Sequence, residues 1–496
     1  MAGAQPDIVN KPKIMKTIQK LYCLLCLMIV TCGCTKDFEE INTNPNNPNS
    51  VQPGFLLRQV IYNFGDEMSF EGFVAGDLLS QHRTALDFNL FDRHALKSPQ
   101  LGGNPWPIFY TNLRDNEIIL TQSREVQTFA VYEGPALILK AYMAAGLTDL
   151  FGDVPYSEAF NGVAGSVTPK YDLQSAIYMN EGGILDNLDK GIAAINNYDG
   201  IIGLEGDILF GGNLDQWVTF ANSLKIKALL RISNKVNVSS KMQAVFNTGN
   251  YFKENSQNAV FNFTNTDPNS FRLAQLRIGD FNNFVLSTTM EDVLKALNDP
   301  RITEFFRPTE SSMGIEFKGL INGIDASSTS VELAELSLAG TSFREDTSTL
   351  DANFLTAWET AFNLAEAAER GLILADAQSL YEKGVTLAFQ YWQTELPADY
   401  LSGPAAYDAP GTTPIQQILT QKWIANIINS YEGWVEWRRT GFPEFLPIAA
   451  SLNNGLIPVR MPYPAEEEAL NAENYQQAAN ATNENDVNAP VWWDQN

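Results

Sequence analysis

Few residues in this chain are equipped for chemistry. It has two histidines, His82 and His94, and its four cysteines, Cys23, Cys26, Cys32 and Cys34, all fall between positions 23 and 34. Neither histidine stands in a recognisable catalytic or zinc-binding setting, so each reads as a buried or capping residue. No glycine-rich phosphate loop and no G-x-S-x-G elbow occurs. Carboxylates are plentiful, with 58 Asp and Glu against 33 Lys and Arg. A glycosidase needs two of them about 5–9 Å apart. The candidates are Asp149 with Asp153 in TDLFGDVP, and Glu432 with Glu436 in YEGWVEW. Plainer readings make Asp153 a turn residue after Gly152, and Glu432 and Glu436 neighbours on a solvated helix face. The stretch Thr266-Asp267-Pro268-Asn269 offers oxygens to calcium but lacks EF-hand spacing, so no cofactor is expected.

Aromatic side chains are the other resource, with 29 Phe, 17 Tyr and 9 Trp. Those on helical stripes read as core. Phe88, Phe91, Trp106, Phe271 and Phe281 fall instead in loops, near Arg93, Arg272 and Arg277. An exposed flat ring stacks on the apolar face of a sugar, and an arginine donates to hydroxyls or carboxylates. These eight residues are the candidate ligand-binding set. The opposing reading is that each ring plugs the scaffold beneath its own loop.

The elements that must position them are mainly helical. Apolar residues recur at helical spacing over 126–150, 173–195, 217–236, 353–374, 377–391 and 415–428. The pair 353–374 and 377–391 has the small/large alternation of tetratricopeptide helices, without an even repeat along the chain. Long Gly/Asn/Ser/Asp-rich stretches at 88–107, 199–214, 262–283 and 319–349 contain rings and arginines. They read as ordered loops over one face of an all-α scaffold with little β. Residues 51–496 are expected to form a single domain.

The N-terminal end supplies a location. Lys16 and Lys20 precede the apolar run LYCLLCLMIV (21–30), which ends in Thr31-Cys32-Gly33-Cys34. This is the pattern of a secretory signal peptide, too short to span a bilayer. Native translation is expected to start at Met15. The run ends like a bacterial lipobox, which would make Cys34 the lipidated first residue of the mature chain. Residues 1–33 are then leader and signal, and 34–50, rich in Asn and Pro, are a tether. Cleavage removes Lys11, Lys13, Lys16, Lys20 and Asp7, leaving 29 basic and 57 acidic residues, net −28. Such a charge repels phosphate backbones and excludes nucleic acid as a partner.

Several segments occur in the order seen in one family. They are CTKDFEEINTNPNNP (34–48), LTDLFGDVPYSEAF (147–160), MEDVLKALNDPRI (290–302), YEGWVEWRRTGFPE (431–444), PVRMPYPAEEEALNAENYQQA (458–478) and VWWD (491–494). Together they resemble the SusD/RagB family of nutrient-binding outer-membrane lipoproteins. The resemblance implies tetratricopeptide-like helix pairs scaffolding irregular loops, on a protein held at the cell surface. It also implies capture of oligosaccharides, or in some members peptides, without cleavage, and delivery to a SusC-type TonB-dependent transporter. The rival function is a surface glycoside hydrolase on a helical scaffold. Trp434, Trp437, Arg438 and Arg439 match a family motif and read as structural, suited to cation–π and carboxylate contacts that pin the C-terminal region. The family's ligand residues vary, so the loop aromatics rest on their own chemistry.

Overall fold

Each apolar stripe becomes a helix that buries one face against the next. The computed structural model describes residues 51–160, 165 and 167–494, with Met1 and Gly3. Cys34, the signal segment and the 34–50 tether lie outside the described residues. Pro53–Asn496 forms one unit. Helices α1 (Pro53–Glu71), α2 (Trp106–Glu125), α3 (Glu133–Phe151), α4 (Ile184–Asn196) and α5 (Leu214–Ile232) pack in succession. Helix α6 (Ser239–Thr248) lies against α5, and α7 (Thr288–Leu297) follows. Helix α8 (Ala357–Glu369) joins the row by packing on α5, on α9 (Ala377–Tyr391) and on α10 (Pro414–Ala425). Helices α11 (Glu432–Thr440) and α12 (Ala472–Ala481) complete the C-terminal part.

Local chemistry sets the ends. The side chains of Asn213, Thr356 and Asp376 accept the first free N–H groups of α5, α8 and α9. Thr413 and Gln416 form a reciprocal capping box on α10, with Pro414 in its first turn. Gly441 stops α11 with φ +76°. Tight crossings explain two other glycines. A Cβ on Gly134 of α3 would lie 2.9 Å from the Gly191 carbonyl of α4, and one on Gly384 of α9 would lie 2.7 Å from the Phe362 ring of α8. This close small-against-large packing is what makes the helix pairs tetratricopeptide-like.

Two expected helices come out broken. The 173–195 stretch splits into Gln174–Met179 and α4 because Gly182, at φ +76°, and Gly183 turn the chain between them. The 126–150 stretch opens with a tight 3-10 segment, Gln127–Tyr132, before α3 begins. Strands are few and short. Antiparallel pairs join β1 (Arg83–Ala85) to β5 (Phe284–Leu286), β2 (Val154–Pro155) to β3 (Tyr171–Asp172), and β4 (Ala259–Asn262) to β6 (Asp351–Leu355). The β1–β5 and β4–β6 pairs tie together segments that are distant in sequence.

Candidate functional site

Of the carboxylates proposed for hydrolysis, Asp149 and Glu436 are buried and Asp153 and Glu432 are half-buried. Asp149 accepts from Arg231 Nε at 3.0 Å, Tyr178 Oη at 2.6 Å and Trp493 Nε1 at 2.7 Å. Glu432 pairs with Arg231 at 2.6 Å and Lys227 at 3.1 Å. Glu436 pairs with Lys422 at 2.6 Å, with Arg439 at 2.8 Å and with Arg231. The solvated-face reading of Glu432 and Glu436 is therefore corrected: α11 turns both inward onto cations from α5 and α10. Burial pushes Glu436 up, but Arg439, Lys422 and Arg231 outweigh it and hold the carboxyl well below the usual range. That is the wrong direction for a general acid. Asp153 accepts the Gln174 N–H at 2.7 Å, as a turn residue does. The void beside Asp149, Arg231 and Glu432 is about 80 Å³, far below the roughly 300 Å³ at which ligand pockets begin. Among the described residues, no group of three or more His, Cys, Asp or Glu is placed to hold a metal ion.

The motif on α11 works as a clasp. Arg438 lies 4.1 Å over the Trp434 ring and 4.8 Å over Trp493, and donates to the carbonyls of Val459 and Asp149. Trp437 stacks on Phe445 at 4.8 Å. Arg439 grips Glu366 with both terminal nitrogens, at 2.7 and 2.6 Å.

The eight candidate ligand residues do not gather in one place. Phe271 and Phe281 are fully buried, packed on Phe263 at 4.9 Å and Phe73 at 5.6 Å, and offer no ring face to a ligand. Arg272 pairs with Asp66 at 2.5 Å, and Arg277, 86% exposed, pairs with Asp280 at 2.8 Å. The 86–107 loop is different, because it is ordered by its own polar contacts. Buried Asp92 accepts from Thr84 Oγ1 at 2.8 Å, Asn322 Nδ2 at 2.7 Å and the Gly323 N–H at 2.8 Å. Arg93 donates to the Ala450 carbonyl at 2.8 Å. This clamp holds Phe88 outward, 70% exposed at φ +49°. Phe91 goes the other way: it is buried under Gly103, where an added Cβ would meet its ring at 2.5 Å.

With Phe91 as a peg, the second half of the loop forms one wall of a cleft of about 360 Å³. Trp106, in the first turn of α2, and Tyr463 line it side by side, meeting edge-to-face with ring centres 6.2 Å apart and only 8% and 3% exposed, and Trp106 also rests edge-on against Phe151 at 4.9 Å. Tyr463 is fixed by the Arg460 guanidinium 4.3 Å from its ring and by its hydroxyl donating to the Asp153 carbonyl at 2.8 Å. Tyr475 of α12 also lines the space, as do Lys97, Asn104, Glu466 and Glu468. None of those last four side chains makes a hydrogen bond or ion pair among the described residues, and neither does the Trp106 indole N–H. The volume falls within the range of small-molecule sites, and the lining joins apolar rings to uncommitted polar groups. Of the residues singled out from sequence, Trp106 lines this cleft and Phe91 supports it. Tyr463, Tyr475, Lys97, Asn104, Glu466 and Glu468 were missed, although Tyr463 stands between Pro462 and Pro464 inside the 458–478 tract.

Comparison with known proteins supplies the family. A model of the SusD-like family, described as starch-binding and associating with the outer membrane, matches residues 45–464. The chain belongs to the SusD-like family. Solved structures agree along its length. A chitin-binding protein is 26% identical with a TM-score of 0.74, covering 90% of this chain and 100% of its own. A SusD homologue from Bacteroides fragilis NCTC 9343 is 23% identical with a TM-score of 0.77, covering 90% and 99%. Another from Parabacteroides distasonis ATCC 8503 is 20% identical with a TM-score of 0.76, covering 90% and 98%. A search of the curated proteins returns no match. Membership brings the all-α, tetratricopeptide-containing SusD-like fold and association with the outer membrane, and family members are generally non-catalytic binding proteins. Among the described residues, no helix is long and apolar enough to cross a membrane.

Within this SusD-like scaffold, both histidines are buried. His94, at φ +67°, donates from Nδ1 to the Leu456 carbonyl at 3.1 Å and so helps fasten the 86–107 loop. Burial pushes its imidazole down to about 4, opposed by that carbonyl. The unfolded chain binds this proton below about pH 6.5 and the folded protein only below about pH 4, so the contribution to stability is lost as pH falls through that window. Asn tolerates a positive φ. His94→Asn is therefore expected to shrink the stability difference between pH 7 and pH 4 by about 2–3 kcal/mol, read from urea unfolding. An unchanged acid dependence would contradict a buried neutral imidazole.

Proposed function

We propose that this protein is a cell-surface lipoprotein that captures oligosaccharides without cleaving them and delivers them to a SusC-type TonB-dependent transporter. Cys34 carries the lipid, 34–50 is the tether, and 51–496 is the binding domain. The observation that carries this reading is the Trp106–Tyr463 cleft, where the uncovered parts of fixed rings stand beside polar side chains that have no partner among the described residues. Rings bind the apolar face of a pyranose, and free donors and acceptors bind its hydroxyls. Affinity gathers from several weak contacts along a chain of sugars, which suits a protein that must release its cargo. The 26%-identical chitin-binding neighbour makes N-acetylhexosamine oligomers a first ligand to try. The test is to run the purified protein through gels containing starch, xylan or soluble chitin derivatives, and to assay the same mixtures for reducing ends. Retardation by at least one glycan with no rise in reducing ends is expected. Sustained turnover, or no retardation by any of them, would overturn the proposal.

A further inference from the structure

The lining of the cleft is uneven in charge. It holds one cation, Lys97, and two carboxylates, Glu466 and Glu468. The carboxylates lie in the first turn of the short helix Ala465–Leu470, with Glu467 between them. Glu467 is engaged elsewhere, accepting from Tyr171 Oη at 2.9 Å and Asn471 Nδ2 at 3.3 Å. The arginine beside the cleft is engaged too. Arg460 is fully buried against the Tyr463 ring, and donates to Asn485 Oδ1 at 3.1 Å and the Phe151 carbonyl at 3.2 Å. No lining residue offers the guanidinium fork that suits a sugar carboxylate or sulfate. Trp106 adds a second, independent sign of a ligand. It is 8% exposed, it lines the cleft, and its indole N–H has no acceptor among the described residues.

We propose that this cleft selects hexosamine glycans, favouring units with a free amine and rejecting uronic acid and sulfated units; the proposal rests on the oligosaccharide reading above. A protonated sugar amine brings three donors to Glu466 and Glu468, which have no cation partner among the described residues. A ring or hydroxyl oxygen of the same unit accepts the Trp106 N–H. An N-acetylated unit keeps the ring and the Trp106 contact but forgoes the charge attraction. A uronate must shed water opposite two carboxylates, with Lys97 alone to offset them. The effect is a partly exposed electrostatic one, so it weakens as salt rises above about 0.1 M, where the screening length is roughly 10 Å.

The test is calorimetry on the full chain at low ionic strength. Length-matched oligomers of glucosamine, N-acetylglucosamine and galacturonic acid are compared in a buffer where the amine is protonated. Glucosamine oligomers are expected to bind about five-fold tighter than the acetylated ones, and galacturonate oligomers at least about ten-fold weaker. In the double variant E466Q/E468Q the preference for amine over acetylated oligomer is expected to fall to within about two-fold. Galacturonate binding as well as the acetylated oligomer, or an amine preference that survives in E466Q/E468Q, would overturn the charge selection and leave glycan capture standing. If none of the three binds, the hexosamine proposal falls, while the oligosaccharide reading falls only if starch and xylan fail to retard the protein as well.

Discussion

Arg439→Ala is expected to lower the free energy of unfolding by about 3–5 kcal/mol, the usual cost of removing one partner from a buried ion pair. Arg439 is fully enclosed, holding Glu366 at 2.7 and 2.6 Å and Glu436 at 2.8 Å. Without it, Glu366 keeps Arg370 at 2.7 Å, and Glu436 keeps Lys422 at 2.6 Å and Arg231. The remaining cations place the effect toward the lower end of that range. The network still fails as a unit, because its members come from α5, α8, α10 and α11 and align those helices. Burial pushes Glu366 and Glu436 up, but their cations prevail and hold both carboxyls below their ordinary value. Each therefore contributes stability above about pH 4.5 that is lost as pH falls, and Arg439→Ala should flatten this acid limb. Arg277→Ala is the control, since Arg277 is 86% exposed and its pair with Asp280 is a surface one; a change within about 0.5 kcal/mol is expected. Urea midpoints at constant m-value read both variants. An Arg439→Ala change as small as that of Arg277→Ala would show that the buried network does not hold the scaffold.

Replacing Trp106 is expected to weaken oligosaccharide binding by at least about ten-fold, since stacked aromatic contacts are worth on the order of 1 kcal/mol beyond the surface they bury. Trp106 also packs on Phe151 and Tyr110, so Trp106→Ala carries a core cost of about 3–5 kcal/mol and must be checked for folding. Trp106→Phe keeps a ring but loses the N–H and part of the stacking face. It is expected to fold and to lose about three- to ten-fold in affinity. Phe88→Ala removes a ring that is already 70% exposed, and is expected to change stability by less than about 0.5 kcal/mol. Calorimetry with one binding oligosaccharide separates the two ends of the loop. A loss confined to Phe88→Ala, with Trp106→Phe unaffected, would move the site from the cleft to the outer bend.

Helical periodicity identified the scaffold because it depends on neighbours in sequence, and α5, α8 and α9 emerge close to their expected spans. It failed at Gly182 and Gly183, where apolar spacing runs on through a turn that only the glycines reveal. The buried carboxylates were misplaced for a different reason. Glu432 and Glu436 show the same i,i+4 spacing on a wet face or a dry one, and their partner Arg231 lies some 200 residues away. The loop aromatics fared likewise. Phe88 and Phe91 are three residues apart in one polar loop, yet one faces solvent and the other is pinned under Gly103. What separates them is the Asp92 clamp to Asn322 and Gly323, which no local pattern records. The cleft needs two segments more than 350 residues apart, so its first wall is legible through Trp106 while no local pattern marks Tyr463 as lying beside it.

The most direct test of the account is a crystal structure of the protein with an oligosaccharide it retains. The expected result is sugar density in the cleft between the 96–106 and 461–468 segments, with one ring against Trp106 and Tyr463 and every glycosidic bond intact. Density at the Phe88 bend with the cleft empty, or a cleaved product in the cleft, would contradict it.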